Sequence, residues 1–199
     1  PGPGAARCSA RGAPPRERGA GFEFTSEVFG GAVPKHFIPA VEKGMREIMM
    51  QGVIAGYPTV DFRAVIYDGS YHPVDSSELA FKLAGHLAFK AGIPQAGPVL
   101  LEPVMQIQVT VPEAFMGAIL GDLNTRRGRV LSMEQVRGNG VVTAQVPLAE
   151  IQRYATDLRS MTQGRGIYSM SFSHYDIVPT QLVEKIAAAS AAKRQEAKE

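Results

Sequence analysis

The sequence predicts an α+β fold in which a partial βαβα unit precedes a sandwich of two helices on a four-stranded sheet. Three features support this fold: an internal repeat within residues 111–165, alternating strands around each copy, and a turn signal between the copies. The copies align without gaps from Pro112 to Leu123 and from Pro147 to Leu158. A repeat of this kind marks two equivalent structural units, so it determines the order of elements in this part of the chain.

Each copy of the repeat predicts one amphipathic helix, because its apolar residues recur at i, i+3, i+4 and i+7. Pro112 and Pro147 are expected to open the helices, since proline lacks the N–H that a first turn leaves unpaired. Gly128 and Gly164 are expected to end them in the left-handed conformation. The apolar positions are Met116, Ile119, Leu120 and Leu123 in the first copy and Ile151, Tyr154, Ala155 and Leu158 in the second.

Strands are predicted on both sides of each helix. Residues 106–111 and 142–146 alternate between polar and apolar side chains, which is the period of a half-buried strand. Further short strands follow over 129–136 and 167–174, and 137–140 is a good hairpin turn. The resulting order, βαββαβ, is that of a ferredoxin-like sandwich.

In this topology the first and third strands lie in the middle of the sheet, so their outward residues form its open face. That face lacks the aromatic residues on which RNA-recognition modules of this topology stack bases, so such a module is disfavoured. It also lacks the cysteines, histidines or paired carboxylates of a metal site. The outward residues are Gln106, Gln108, Thr110, Thr143 and Gln145.

The N-terminal part of the sequence predicts a smaller, incomplete unit. Residues 1–20 are rich in Pro, Gly, Ala and Arg with little to bury, so we expect them to be disordered or poorly packed. A linker or remnant is the favoured interpretation, and a basic arm that touches nucleic acid is the alternative. A strand should end near residues 22–29, followed by a helix over 34–51 and a strand over 59–68.

A second helix should run from residue 75 to 91 with Asp75 as its cap, because 75–78 resembles a capping box. Two strands are few for two helices, so we expect this unit to be short of a strand. The two prolines within 92–98 indicate a boundary. We therefore expect domains at 21–97 and 98–182, with an Ala-rich helix or tail over 183–199.

Composition excludes several classes of protein. The chain has 199 residues and a net charge of +2, from 21 Lys and Arg against 19 Asp and Glu, so no strong global field favours nucleic acid or a membrane. Cys8 is the single cysteine and excludes an intramolecular disulfide framework. No stretch is apolar enough to span a bilayer, and the start lacks a signal-peptide core. A cytoplasmic protein is expected.

Groups that could perform catalysis are sparse. No phosphate-binding G-x-x-x-x-G-K-[ST] motif occurs, and the four histidines are far apart. Tyr71, His72 and Asp75 share one turn-rich loop before a helix. As an acid–base group they would need a pocket and a third partner, so a binding tip is favoured over a small enzyme.

Arginines follow the repeat helices. In one explanation, these arginines complement the dipole at the helix C-termini, and one of them pairs with Asp122 at i, i+4. In the other, they form an edge that contacts phosphates. The spacing of the residues does not decide between these explanations. These residues are Arg126, Arg127, Arg129, Arg159 and Arg165.

Several strings in the sequence resemble the C-terminal third of bacterial translation elongation factor G over about residues 21–186. The resemblance is strong because so many long motifs occur in order. The strings lie at 38–44 (IPAVEKG), 67–72 (YDGSYH), 74–78 (VDSSE), 121–124 (GDLN), 126–128 (RRG), 154–160 (YATDLRS) and 162–166 (TQGRG).

The resemblance implies domains IV and V of a ribosome-dependent GTPase that promotes translocation. Domain IV would be a tip domain with a fold like the second domain of ribosomal protein S5, reaching the A site, and domain V would be the ferredoxin-like sandwich near ribosomal RNA. By motif, the tip loop that meets the tRNA–mRNA duplex would be Ser70, Tyr71, His72, Val74, Asp75 and Ser76. The five arginines named above would face ribosomal RNA or protein.

Further expectations follow from the same resemblance. The partners would be ribosomal RNA, ribosomal proteins and the tRNA–mRNA of the A site, with no membrane, and the protein would be a monomer. GTP and Mg²⁺ would serve the full-length parent protein, whereas this chain would hold no cofactor, metal or catalytic residue. Residues 1–20 do not match the family's companion tip loop and following strand, and Pro73 replaces an expected acidic residue.

Alternatives remain open at this stage. A free-standing ferredoxin-like interaction module would bind protein rather than RNA. Ribosome-recycling and ribosome-protection relatives of the same family share these domains.

Overall fold

The structure is a computed structural model that describes residues 7–12, 17–74 and 76–196. The chain divides into two compact units, one comprising residues up to Pro98 together with Thr180 onward, the other Val99–Pro179. Each unit has its own buried cluster of apolar side chains.

The first unit is a three-stranded sheet with two helices. Its strand order is β1-β3-β2, in which β1 is antiparallel to β3 and β2 is parallel to β3. The elements are β1 (Arg7–Gly12), β2 (Glu23–Ser26), α1 (Ile38–Met49), β3 (Arg63–Ser70) and α2 (Glu78–Gln95).

Strand β1 corrects the expectation that residues 1–20 are disordered. Arg7–Gly12 pair with Ala64–Ser70 of β3, with a shift of register between Ser9 and Ala10. Backbone pairing needs no apolar side chain, so a segment rich in Arg and Gly can complete a sheet that another strand has already started. The expectation for residues 1–6 and 13–16 concerns positions outside the described residues.

The helices α1 and α2 pack closely because each carries a glycine at the contact. A Cβ on Gly44 would overlap the carbonyl oxygen of Lys82, and one on Gly85 would lie 2.7 Å from the carbonyl oxygen of Val41. Around this contact Val41, Met45 and Phe81 are buried, together with Ile66 of β3.

Two helix starts differ from the sequence prediction. A 3-10 turn, Lys35–Phe37, precedes α1, so the helix begins at Ile38 rather than Pro34. Ser77, not Asp75, caps α2: its side-chain oxygen accepts a hydrogen bond from the Ala80 N–H at 3.1 Å. Asp75 itself lies outside the described residues.

The second unit is the predicted ferredoxin-like sandwich. Its sheet order is β5-β6-β4-β7, which places the first and third strands of the motif in the middle, and all neighbours are antiparallel. The elements are β4 (Leu101–Pro112), α3 (Met116–Thr125), β5 (Arg129–Val136), β6 (Asn139–Pro147), α4 (Tyr154–Met161) and β7 (Ile167–Ile177).

The repeat predicts the core of this unit correctly. Ile119 and Leu123 of α3 and the equivalent Tyr154 and Leu158 of α4 are all 0% exposed. The hairpin between the copies has two central residues, Arg137 and Gly138, with φ of 52° and 77°, the left-handed pair of a type I′ turn.

Local details at the repeat ends differ from prediction. Pro112 and Pro147 precede short 3-10 turns rather than the helices themselves. After α3 the left-handed residue is Arg127, with φ of 57°, and not Gly128. Gly128 is required for space instead, because a Cβ there would lie 2.6 Å from the carbonyl oxygen of Leu123.

The last helix, α5 (Thr180–Glu196), belongs to the first unit. Its Ser190 hydroxyl donates a hydrogen bond to the carbonyl oxygen of Ala55, which follows α1. No helix within the described parts of the chain combines the length and apolarity needed to cross a bilayer.

Candidate functional site

The tip loop, residues 70–76, leaves the sheet at the end of β3. Tyr71 and Val74 are 42% and 84% exposed, and His72 is exposed as well. Strand β3 is the central strand of its sheet, and the first residue of the loop, Ser70, pairs with Arg7 of β1. The loop is therefore an exposed projection on a rigid base.

Hydrogen bonds between His72 and Ser76 close the loop. The His72 N–H donates to the Ser76 hydroxyl oxygen at 2.9 Å, and the Ser76 N–H donates to the His72 carbonyl oxygen at 3.1 Å. The Val74 N–H points to the Nδ1 atom of His72 at 3.4 Å. This reciprocal pair fixes the backbone on both sides of Pro73 and Val74, which lie at the apex.

Aromatic rings support the loop from below. The ring of Phe37 stacks on Phe81 of α2 with centroids 4.6 Å apart, and Tyr71 lies 5.9 Å from Phe37. Phe37 is 8% exposed. The sequence does not reveal this support, because Phe37 and Tyr71 are far apart in the chain.

The guanidinium group of Arg126 forms hydrogen bonds within the second unit. Its guanidinium donates to Asp122 Oδ2, to Asp157 Oδ2 and to the carbonyl oxygen of Glu150, each at 2.8 Å. Asp122 and Asp157 are equivalent positions of the repeat, so one arginine joins the two halves. These hydrogen bonds, that to Asp122 foremost, hold the pKa of Arg126 above its ordinary value.

Arg127 is also held internally. It binds Glu102 through both terminal nitrogens, at 2.6 and 2.9 Å, and its Nε donates to Glu150 at 3.0 Å. Hydrogen bonding to Glu102 is the main cause that raises its pKa. The predicted pairing of Arg126 with Asp122 is confirmed. The guanidinium groups of both Arg126 and Arg127 bind carboxylates of the same unit.

The other three arginines lie at the surface. Arg129 begins β5 opposite Gln145, on the open face of the sheet. The guanidinium of Arg165 lies 4.8 Å from the ring centre of Phe115, and its Nη2 donates to Gln163 at 3.1 Å. Arg159 is an exposed residue of α4. Their role as contacts to ribosomal RNA stays a prediction.

Uncharged polar side chains lie along the middle of the open face of the second sheet. Strand β7 places Ser169 opposite Gln108 and Ser171 opposite Gln106, and Gln145 donates to the Ser173 hydroxyl at 3.2 Å. Within the described residues no group of three His, Cys, Asp or Glu side chains has the arrangement of a metal site.

Comparison with known proteins agrees with this geometry. The family description "Elongation factor G, domain IV" matches residues 6–97, and "Elongation factor G C-terminus" matches residues 99–186. The first of these matches includes β1, so residues from position 6 onward are not foreign to the family.

A crystal structure of a protein from Thermus thermophilus is similar to nearly the whole chain. It is 38% identical, with a TM-score of 0.75, over 94% of this chain and 31% of that one. The chain thus spans about a third of the length of this relative. By both family matches and by fold, the chain belongs to the elongation factor G family and carries its domain IV and its C-terminal domain.

Proposed function

We propose that this chain is the ribosome-engaging part of a translocation factor, and that its tip loop contacts the tRNA–mRNA duplex in the A site. The observation that carries the proposal is the tip loop itself. An exposed Tyr71, His72 and Val74 stand on the end of a central strand and are held by the reciprocal His72–Ser76 hydrogen bonds.

The loop suits binding rather than catalysis. His72 uses its backbone groups to close the loop, and its Nδ1 faces the Val74 N–H within the same loop. A loop fixed in this way loses little conformational entropy on binding. In the complete factor, GTP and Mg²⁺ bound elsewhere would supply the energy, and the present chain would act in the cytoplasm as the end of a lever.

The ferredoxin-like unit would rest against ribosomal RNA or protein through its exposed side chains. Arg129, Arg159 and Arg165 are the available cations of the predicted set, since Arg126 and Arg127 stabilise the fold. Contact with phosphates would make binding to the ribosome weaken as salt rises, through counterion release.

The test uses the full-length protein with His72→Ala. The tip hypothesis predicts slower translocation of the tRNA–mRNA pair and nearly unchanged ribosome-dependent GTP hydrolysis. Ser76→Ala, which removes the hydroxyl that holds the His72 N–H, should give a smaller loss of the same kind.

Leu87→Ala, at an exposed position of α2 outside the loop, serves as a control for surface changes, and it should leave the translocation rate unchanged. If His72→Ala reduced translocation and GTP hydrolysis equally, the residue would act through folding, and the proposal for the tip loop would fail.

A further inference from the structure

A second exposed loop, residues 27–34, projects from the first unit; we call it the Phe29 loop. Its ends are anchored: the Glu27 N–H donates to the Ile66 carbonyl oxygen at 2.7 Å, and Val33 is 2% exposed. Between these anchors Phe29 is 92% exposed. The exposed ring offers a flat apolar surface on which a binding partner can stack.

Two glycines shape the Phe29 loop. Gly30 and Gly31 have φ of 69° and 76°, which disfavours any residue with a Cβ. A Cβ at either position would meet no atom within 4 Å, so the glycines serve the turn and not packing. The turn projects Phe29 outward while Val28 packs against the apolar cluster of the unit.

The topology of the sheet brings this loop to the same edge as the tip loop. Strands β2 and β3 are parallel, so the segments that follow Ser26 and Ser70 leave the sheet in the same direction. The 3-10 turn that ends the Phe29 loop contacts the tip loop directly, because Phe37 lies 5.9 Å from Tyr71.

A lysine and a histidine follow the Phe29 loop in the chain. Lys35 and His36 are both exposed on the 3-10 turn, and the His36 ring is 4.0 Å from Phe37. Exposed aromatic rings next to cations are the combination that binds single-stranded nucleic acid, where rings stack on bases and cations contact phosphates.

We propose that the Phe29 loop is a second RNA-contacting element, in which Phe29 stacks on an unpaired base while Lys35 contacts a neighbouring phosphate. This proposal rests on the proposed function, since it adds a contact beside the tip loop. A protein partner would also cover an exposed phenylalanine, but the exposed Lys35 that follows the loop and the shared edge with the tip loop favour RNA.

The experiment exploits the absence of tryptophan from the chain. Phe29→Trp introduces a single tryptophan, incorporated as 5-hydroxytryptophan so that it is excited separately from the tyrosines of the chain and the tryptophans of ribosomal proteins. The variant is titrated with 70S ribosomes programmed with mRNA and tRNA. Stacking on a base should quench its emission, whereas burial against protein should shift the emission to shorter wavelength without quenching. Leu87→Trp, at a position 68% exposed on α2, is the matched control and should show no quenching.

Affinity measurements complete the test. Phe29→Ala should weaken ribosome binding roughly tenfold, and Phe29→Leu should weaken it nearly as much, because leucine restores apolar area but no ring to stack. Lys35→Ala should lower the slope of log affinity against log salt by about one, and Phe29→Ala should leave that slope unchanged.

The binding measurements distinguish failure of this inference from failure of the proposed function. If the wild-type chain binds ribosomes and Phe29→Ala binds equally well, or Phe29→Leu retains full affinity, RNA stacking is overturned while the proposed function stands. If the wild-type chain does not bind ribosomes at all, both the proposed function and this inference fail.

Discussion

Arg126 joins the two halves of the second unit through a single guanidinium group. It binds Asp122 of α3, Asp157 of α4 and the carbonyl oxygen of Glu150, and its side chain is 19% exposed. Charged hydrogen bonds at partly buried positions contribute more than surface ion pairs, because little water competes for them.

Arg126→Ala should therefore lower the free energy of unfolding of this unit by about 2 kcal/mol, since it leaves two carboxylates without their cation. Urea unfolding, followed by circular dichroism, measures the change. Arg159→Ala on the exposed surface of α4 is the control and should stay within about 0.5 kcal/mol of wild type. Equal effects of the two substitutions would refute the bridging role of Arg126.

Tyr154 is a second residue whose burial has a measurable consequence. Its side chain is 0% exposed, and its hydroxyl has no hydrogen-bond partner among the described residues. Burial is the main cause that raises the pKa of Tyr154 far above its ordinary value. The folded state thus retains this proton at pH values where the unfolded chain, with a tyrosine pKa of about 10, releases it.

The stability from Tyr154 should accordingly be complete below about pH 10, the tyrosine pKa of the unfolded chain, and should fall as the pH rises above that value. Tyr154→Phe should match wild-type stability near pH 7 within about 1 kcal/mol, because the lost hydroxyl was unpaired. Chemical unfolding across a range centred on about pH 10 should show a steeper decline for wild type. Parallel declines of the two proteins would show that the pKa of Tyr154 does not differ between the folded and the unfolded state.

The partner of a side chain could be predicted from the sequence where it is near in the chain, but not where it is distant. The Arg126–Asp122 pair follows from helical spacing. The bidentate contact of Arg127 with Glu102, 25 positions away, does not, because it depends on how β4 passes the end of α3. Arg127 also adopts the left-handed conformation that the sequence predicts for Gly128.

The close contact between α1 and α2 predicts how a substitution of Gly44 changes stability. Gly44→Ala should destabilise the first unit by about 1–3 kcal/mol, because the new methyl group would overlap the carbonyl oxygen of Lys82, a backbone atom that cannot move alone. Thermal unfolding of the purified chain measures the loss.

Gly92→Ala in α2 should have the opposite effect on stability. No atom lies within 4 Å of a Cβ there, so alanine should stabilise α2 by about 0.5–1 kcal/mol through its helix propensity. A loss of stability in both variants would mean that the close helix contact is not what requires Gly44.

Helices and strands could be predicted from the sequence where apolar side chains recur at a regular spacing. The strands and helices of the second unit follow from alternation and from the repeat, and their order is confirmed. Strand β1 was missed because Arg7–Gly12 has no alternating apolar pattern, and its place is set by pairing with β3. Helix starts shifted by several residues because 3-10 turns intervene after Pro34, Pro112 and Pro147.

For the whole molecule, the presence of a complete sheet and core within Val99–Pro179 predicts independent folding of that unit. A polypeptide of these residues should unfold cooperatively in urea, with coincident transitions by circular dichroism and tyrosine fluorescence. A gradual, non-cooperative loss of signal would show that the core of this unit depends on the rest of the chain.

Sequence motifs identified the tip loop by resemblance, but its rigidity could not be read from them. The His72–Ser76 hydrogen bonds and the ring of Phe37 below Tyr71 depend on the end of β3 and the start of α2 being adjacent. The exposed Phe29 was likewise interpreted as part of a strand end, because an apolar residue near a strand is usually buried.

In the proposed function, the tip loop lies against the tRNA–mRNA duplex of the ribosomal A site. Directed hydroxyl-radical cleavage tests it: Cys8 is replaced by serine, Val74→Cys receives an iron chelate, and the protein is bound to programmed 70S ribosomes. Val74, 84% exposed at the apex of the loop, should direct cleavage to the decoding region and to A-site tRNA or mRNA, whereas a chelate at Leu87→Cys should give a different pattern. Cleavage from position 74 that misses the decoding region, or is absent with bound protein, would contradict the account.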